Sequence, residues 1–139
     1  MMNIKKLKIK VNYLTLYFLL IAFLCGYIKS ALIIFGIVIF HELGHILISI
    51  ILGYKIKSIE LFPFGGITKI DNIYNSSFIN NFLISIMGAV FQCTLFLFFK
   101  DPFFRKINLS IMLFNLLPIV PLDGSKILFE IYAYFLPFK

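Results

Sequence analysis

An all-α membrane protein is the fold class this sequence predicts: about four transmembrane helices, a short β-hairpin between spans two and three, and a broken fourth span. Composition is the first reason. The chain is 61% hydrophobic and only 14% charged, and its mean hydropathy of +1.01 makes lipid, rather than water, the solvent it folds in. The second is spacing, because the apolar residues fall into runs close to the ~20 residues a helix needs to cross a hydrocarbon core. The third is residues 56–70, which are too polar to span and alternate as strands do. At 139 residues the chain is one domain.

The elements follow in order. Lys5, Lys6, Lys8 and Lys10 cluster at the start, and the alternation of Leu7-Lys-Ile-Lys-Val11 suggests an interfacial strand. Span one covers Tyr13 to Tyr27. It follows basic residues as the core of a signal peptide would, but no small-x-small cleavage site precedes the next span, which reads as a retained anchor. Span two is Ala31 to Leu52. Then Ile56 to Ile70 reads as two short strands around a Pro-Phe-Gly-Gly turn. Its edge can accept an extended substrate by strand addition, with Phe64, Gly65 and Gly66 facing the substrate; the plain alternative is a connector. Span three is Phe78 to Phe99, interrupted by Gly88 and Gln92. Span four starts near Ile107 and is broken by Pro118, Pro121 and Gly124.

The net charge of +7 does not make a nucleic-acid surface. The bases gather at the N-terminus and at the ends of apolar runs, as headgroup anchors do, so the partner they imply is the lipid bilayer. The basic N-terminus and the Lys55, Lys57, Lys69 segment place the N-terminus in the cytoplasm. Cys25 and Cys93 lie inside apolar spans at no metal-pair spacing and read as small packing residues.

His41-Glu-Leu-Gly-His45 sits within span two, and the chain has no other histidine. Buried ionisable groups are costly in a bilayer and are functional suspects by default, and His-Glu-x-x-His is a zinc-hydrolase pattern. On a helix the two imidazoles share one face and can take adjacent corners of a tetrahedral site. Glu42 then lies beside the metal, positioned to take a proton from water. Two core histidines hydrogen-bonded in a bundle are the bland alternative, but that leaves Glu42 buried in lipid without a reason. Gly44 suggests close approach by another helix or by substrate backbone.

Zinc hydrolases usually use three protein ligands, so the third must be an acid. Glu60, Asp71 and Asp101 fall in connecting segments, and Glu130 has Lys126 four residues before it as an ordinary ion-pair partner. Asp123 remains, at a depth comparable with the motif. Asn115-Leu-Leu-Pro-Ile-Val-Pro-Leu-Asp-Gly124 breaks the helix at membrane depth, which only a polar cavity or neighbouring protein can satisfy.

With these motifs in hand, the chain resembles the site-2 proteases, the intramembrane zinc metalloproteases, along nearly its whole length. The resemblance rests on Phe40-His-Glu-Leu-Gly-His45, Leu61-Phe-Pro-Phe-Gly-Gly66 and Asn115-Leu-Leu-Pro-Ile-Val-Pro-Leu-Asp-Gly124, in the expected order and spacing. It implies zinc bound by His41, His45 and Asp123, Glu42 as catalytic base, and a substrate cleft shaped by Asn115, Pro118 and Pro121. The second motif is similar to the sporulation branch, which implies a membrane-associated substrate of the pro-sigma-K type, the bacterial cell membrane or forespore outer membrane as location, and inhibitory membrane proteins as partners. The chain departs from the family pattern at Ser125, where a second glycine is usual, and at Gly88-Ala89, where Gly-Pro is frequent. Further spans and a regulatory domain that follow in sporulation enzymes have no counterpart in residues 1–139, which read as a single intramembrane core domain.

Two rivals stand beside a protease. A metal transporter has no need of a general base next to the metal and favours several exchangeable sites. An inactive homologue serving in assembly has no need of an intact His-Glu-x-x-His with Asp123.

Overall fold

The structure, a computed structural model, describes residues 7–63, 65–71, 76–120 and 122–136. Its elements run β1 (Lys8–Val11), α1 (Tyr13–Leu24), α2 (Ile28–Ile51), β2 (Ile56–Phe62), β3 (Gly65–Ile70), α3 (Phe78–Phe98), α4 (Pro102–Asn115) and α5 (Asp123–Phe135). Most described residues are helical, with one three-stranded sheet.

Helix α2 has 24 residues and α3 has 21, about 36 and 32 Å at the α-helical rise. Both are long and apolar enough to cross a membrane. The 12 residues of α1, 14 of α4 and 13 of α5 are fewer than a crossing helix needs. Hydropathy alone carries the first span on to Tyr27, but Gly26 ends it. Its φ of +79° is left-handed, and the Tyr27 N–H reaches back to Ala22 O at 2.7 Å, closing the helix in a Schellman turn. Helix α2 stops the same way at Gly53, with φ +86°.

The expected fourth span is two helices, and it starts earlier than Ile107. Asp101 caps α4 by accepting from the Phe104 N–H, and Pro102 occupies the first turn, a pairing that starts helices regardless of hydropathy. The break at its far end depends on Gly124. A Cβ there would lie 2.0 Å from Leu116 O and 2.5 Å from Leu117 O, so α5 begins pressed against the end of α4.

Strands β2 and β3 are antiparallel, but Gly65 and Gly66 pair with Phe62 and Leu61 inside the ladder rather than forming the turn. The strand expected at Leu7–Val11 forms over Lys8–Val11, and its partner is β2, parallel, in register Lys8↔Ser58 to Val11↔Leu61. Asn12 and Thr15 fasten this junction. The Asn12 N–H and the Thr15 hydroxyl both donate to Leu61 O at 2.9 Å, and the Asn12 amide donates to Glu60 Oε1 at 2.9 Å. The hairpin folds back along α2, bringing Gly66 against Glu42, about 14 Å short of the C-terminal end of that helix.

The interior is more polar than the exterior. The apolar core is a small cluster of Ile37, Val38, Leu95 and Ile111. Most of the largest fully buried side chains are polar: His41, Gln92, Asn108, Thr15 and Ser49. Outside, Leu24, Leu97 and Phe98 are at least 74% exposed. That inversion suits a bilayer, where apolar surface costs nothing and polar groups must be satisfied internally. Cys25 and Cys93 are on the exposed side, which corrects their reading as packing residues.

Gly124→Ala should lower thermal stability in detergent by about 3 kcal/mol or more, because the clashing atoms are backbone. Gly36→Ala, where nothing lies within 4 Å, should be neutral or gain up to about 1 kcal/mol. Equal melting temperatures for the two variants would contradict the packing at the α4–α5 break.

Candidate metal centre

The motif occupies the second half of α2, and the structure brings three of the expected donors to one point. His41 Nε2 and His45 Nε2 lie 3.0 Å apart, and Asp123 Oδ2 is 2.8 Å from each. The helical repeat sets the first pair, and the α4–α5 break delivers the third from the other side. All three residues are buried. His41, Glu42 and His45 also form a group whose ligand atoms lie within 4.8 Å of one another.

The donor set fits a divalent metal such as zinc. His45 Nδ1 is 2.6 Å from Ile84 O, a carbonyl that can only accept, so the proton of a neutral ring is on Nδ1 and Nε2 presents a lone pair. A carboxylate oxygen facing that lone pair at 2.8 Å is repulsive unless a cation or shared proton lies between them. The triangle edges are slightly inside the about 3.3 Å expected between corners of a tetrahedral zinc site with bonds of about 2.0–2.1 Å.

Space for the cluster comes from α3. A Cβ on Gly88 would fall 2.5 Å from His41 Cε1 and 2.6 Å from both Nε2 atoms. On the facing side of the same interface, Gly44 of α2 lets α3 approach: a Cβ there would sit 2.7 Å from Met87 O. Of the two explanations open for Gly44, a neighbouring helix is the one observed. Gln92, also on α3, lies 2.7 Å from His41 Nδ1 through its Oε1.

Glu42 points to the sheet. Its Oε2 accepts from the Thr68 hydroxyl at 2.8 Å, and Gly66 lies so close that a Cβ would be 2.6 Å from its carboxyl carbon. Gly66 and Thr68 share one face of β3 by strand alternation. A cavity of about 740 Å³ opens onto Glu42, His45 and Asp123, between β3, the first turns of α3 and α5.

The remaining expected residues are placed as follows. Gly66 lines the cavity, and Gly65 faces Asn115, whose Oδ1 would be 3.4 Å from a Cβ at that position. Asn115 is buried and bonds back to Ile111 O at 3.1 Å. Pro118 is exposed, while Phe64 and Pro121 lie outside the described residues. Lys126 does not pair with Glu130. It reaches Asp123 Oδ1 at 3.2 Å, and Glu130 instead accepts from the Asn81 amide at 2.9 Å. The carboxylate at the cluster attracts the lysine more strongly than the partly exposed Glu130 does. Gly88, Thr68 and the role of Gln92 were not foreseen from sequence. A glutamine and a glycine interrupting an apolar span were the available signals for two of them.

Residues 29–100 match the model of peptidase family M50. The chain is 34% identical over 128 residues to stage IV sporulation protein FB of Bacillus subtilis, covering 84% of this chain and 44% of that protein. It is 30% identical over 109 residues to a zinc metalloprotease of Methanocaldococcus jannaschii, covering 70% of this chain and 32% of that protein. The solved structure of a site-2 protease from Methanocaldococcus jannaschii superposes with a TM-score of 0.76 at 25% identity, over 96% of this chain and 71% of that one. The chain thus spans less than half the length of these two curated relatives.

Gly88→Ala should cut zinc affinity at least about 10-fold, because a methyl group there displaces donors that are held from behind. Competition with a chromophoric chelator measures it, and unchanged affinity in a folded variant would rule out this packing.

Proposed function

The chain belongs to peptidase family M50, the site-2 proteases, and on that premise we propose that it is an intramembrane zinc metalloprotease that hydrolyses a peptide bond of a membrane-associated protein at the cytoplasmic face. The observation that carries this reading is the meeting of His41, His45 and Asp123 at one point, beside a cavity lined by His45, Asp123 and Glu42. A metal-transit role gives Glu42 no task, whereas hydrolysis needs a base at that place.

Zinc held by His41, His45 and Asp123 would supply a Lewis acid and a water acidic enough to ionise near neutral pH. The protein's own groups do the rest. The Thr68 hydroxyl holds Glu42 Oε2, leaving Oε1 to accept a proton from the attacking water. As the C–N bond breaks, Glu42 returns that proton to the leaving amine, so water is divided between the two products. Lys126 engages Asp123 Oδ1 and leaves Oδ2 turned to the histidines.

A helical substrate must unwind before its carbonyl can be attacked. The β3 edge lies along the cavity, so an extended segment can add to the sheet there, with Gly66 beside Glu42 at its start. In this reading α1 and the α4–α5 pair complete four crossings together with α2 and α3. The pairing of β1 with β2 brings Lys8 and Lys10 near the Lys55, Lys57, Lys69 segment, which supports reading that side, by its positive charge, as the cytoplasmic one. Similarity to the sporulation protein FB supports a pro-sigma-K-type substrate, a forespore outer membrane location and control by inhibitory membrane proteins.

Co-expression with a pro-sigma-K-type substrate tests the proposal by the size of the product on a gel. Wild type should cleave, while Glu42→Gln should lose cleavage and still retain zinc; joint loss of metal and activity would remove Glu42 from its role as base. Asp123→Asn should weaken zinc binding by at least about 10-fold. Thr68→Val should lower kcat about 10-fold with KM unchanged, since it disturbs the base and not the binding of substrate. An unaltered kcat would show that Glu42 needs no support from β3.

A further inference from the structure

Behind His41, away from the cavity, two amide side chains are buried where the proposed reaction has no use for them. Gln92 on α3 and Asn108 on α4 are both 0% exposed. Gln92 Nε2 lies 3.1 Å from Asn108 Oδ1 and 3.3 Å from Asn108 O. Asn108 Nδ2 returns to Gln92 O at 3.0 Å. The pair clasps α3 to α4, and its remaining atom, Gln92 Oε1, is the one 2.7 Å from His41 Nδ1.

The direction of every bond in this chain is dictated by two backbone carbonyls. Gln92 O can only accept, so the atom facing it must be the Asn108 NH₂ group, which turns Asn108 Oδ1 towards the Gln92 side chain. Asn108 O and Oδ1 both accept, so the Gln92 terminus facing them must be its NH₂ group. Oε1 is therefore held at His41, where it can only accept, and His41 Nδ1 must carry a hydrogen. A neutral imidazole has only one such hydrogen. His41 Nε2 then presents a lone pair to Asp123 and His45, as metal binding requires.

We propose that Gln92 and Asn108 are a positioning pair that selects the metal-binding tautomer of His41 and thereby couples metal occupancy to the packing of α4 on α3. This rests on the reading of His41, His45 and Asp123 as zinc ligands. A clasp serving only to join two helices would need Gln92 and Asn108 but not Oε1 at His41. Half-satisfied amides in such a place would also be costly, which makes the complete satisfaction of both informative. By linkage, whatever loosens the α3–α4 contact also loosens the metal, and the metal in turn tightens that contact.

The test is zinc affinity of the purified full chain in detergent, by competition with a chromophoric chelator, with the cobalt(II) ligand-field band as a second readout. Gln92→Met keeps the volume and removes the acceptor, and should weaken zinc binding about 10- to 100-fold while altering the cobalt band. Gln92→Glu keeps the acceptor at His41 although it loses the donor to Asn108, and should bind zinc more tightly than Gln92→Met, a partial rescue that a purely structural clasp would not give. Asn108→Ala leaves Gln92 in place but removes the nearer of the two acceptors that orient its amide; a loss of about 3-fold is expected, and it serves if Gln92→Met fails to fold. Folded Gln92→Met or Asn108→Ala protein with wild-type affinity and an unchanged cobalt band overturns the coupling. A folded His45→Ala variant that takes up zinc as tightly as wild type overturns the ligand assignment itself, a distinguishable failure.

Discussion

Three lone-pair-bearing atoms, His41 Nε2, His45 Nε2 and Asp123 Oδ2, are forced within 3.0 Å of one another in the interior, and most of the architecture answers to that constraint. Two of them come from a single helical turn, which costs nothing to arrange. The third must arrive from a chain segment running beside α2, and a continuous helix would carry its side chain past the point. The α4–α5 break removes that difficulty, and Gly124 permits the break by admitting Leu116 O where a side chain would stand. Gly88 clears the volume in which the donors meet. Left alone, such a cluster is destabilising, so the free energy of filling it is in part free energy of folding.

The polar interior follows from the same source. A bilayer tolerates no unsatisfied donor or acceptor, and among the described residues no buried side-chain nitrogen or oxygen lacks a hydrogen-bond partner. Hydrogen bonding behind the histidines, to Ile84 O and Gln92 Oε1, therefore serves two ends at once. It satisfies ring nitrogens that would otherwise be stranded in lipid, and it aims the opposite nitrogens inwards. Apolar side chains are left for the outside, which accounts for a hydropathy that no water-soluble chain of this size would show.

Much of this was legible in the residues. His41, Glu42 and His45 announce themselves because a helix converts their spacing into a shared face, and Asp123 follows by eliminating acids that sit where carboxylates are cheap. The two long helices and the hairpin follow from hydropathy and alternation. What stayed hidden depends on distant partners. The parallel pairing of β1 with β2 joins residues far apart in sequence, and nothing local in Lys8–Val11 specifies it. Lys126 four residues before Glu130 looks like a helix ion pair, but the stronger field of Asp123 is visible only once the cluster is assembled. Helix ends went astray where hydropathy and capping disagree, at Gly26 and at Asp101-Pro102. Thr68 had no signal at all, because its task is set by which face of β3 meets α2.

The β1–β2 junction also has a consequence for the order in which the molecule is built. Parallel strands cannot be joined by a tight turn, and here the connection is α1 followed by α2. Residues 8–11 can meet residues 58–61 only after both helices are in place. Asn12 and Thr15 then lock onto Leu61 O. The small sheet thus acts as a checkpoint on assembly: its parallel pair closes only in chains whose first two helices have already folded against one another.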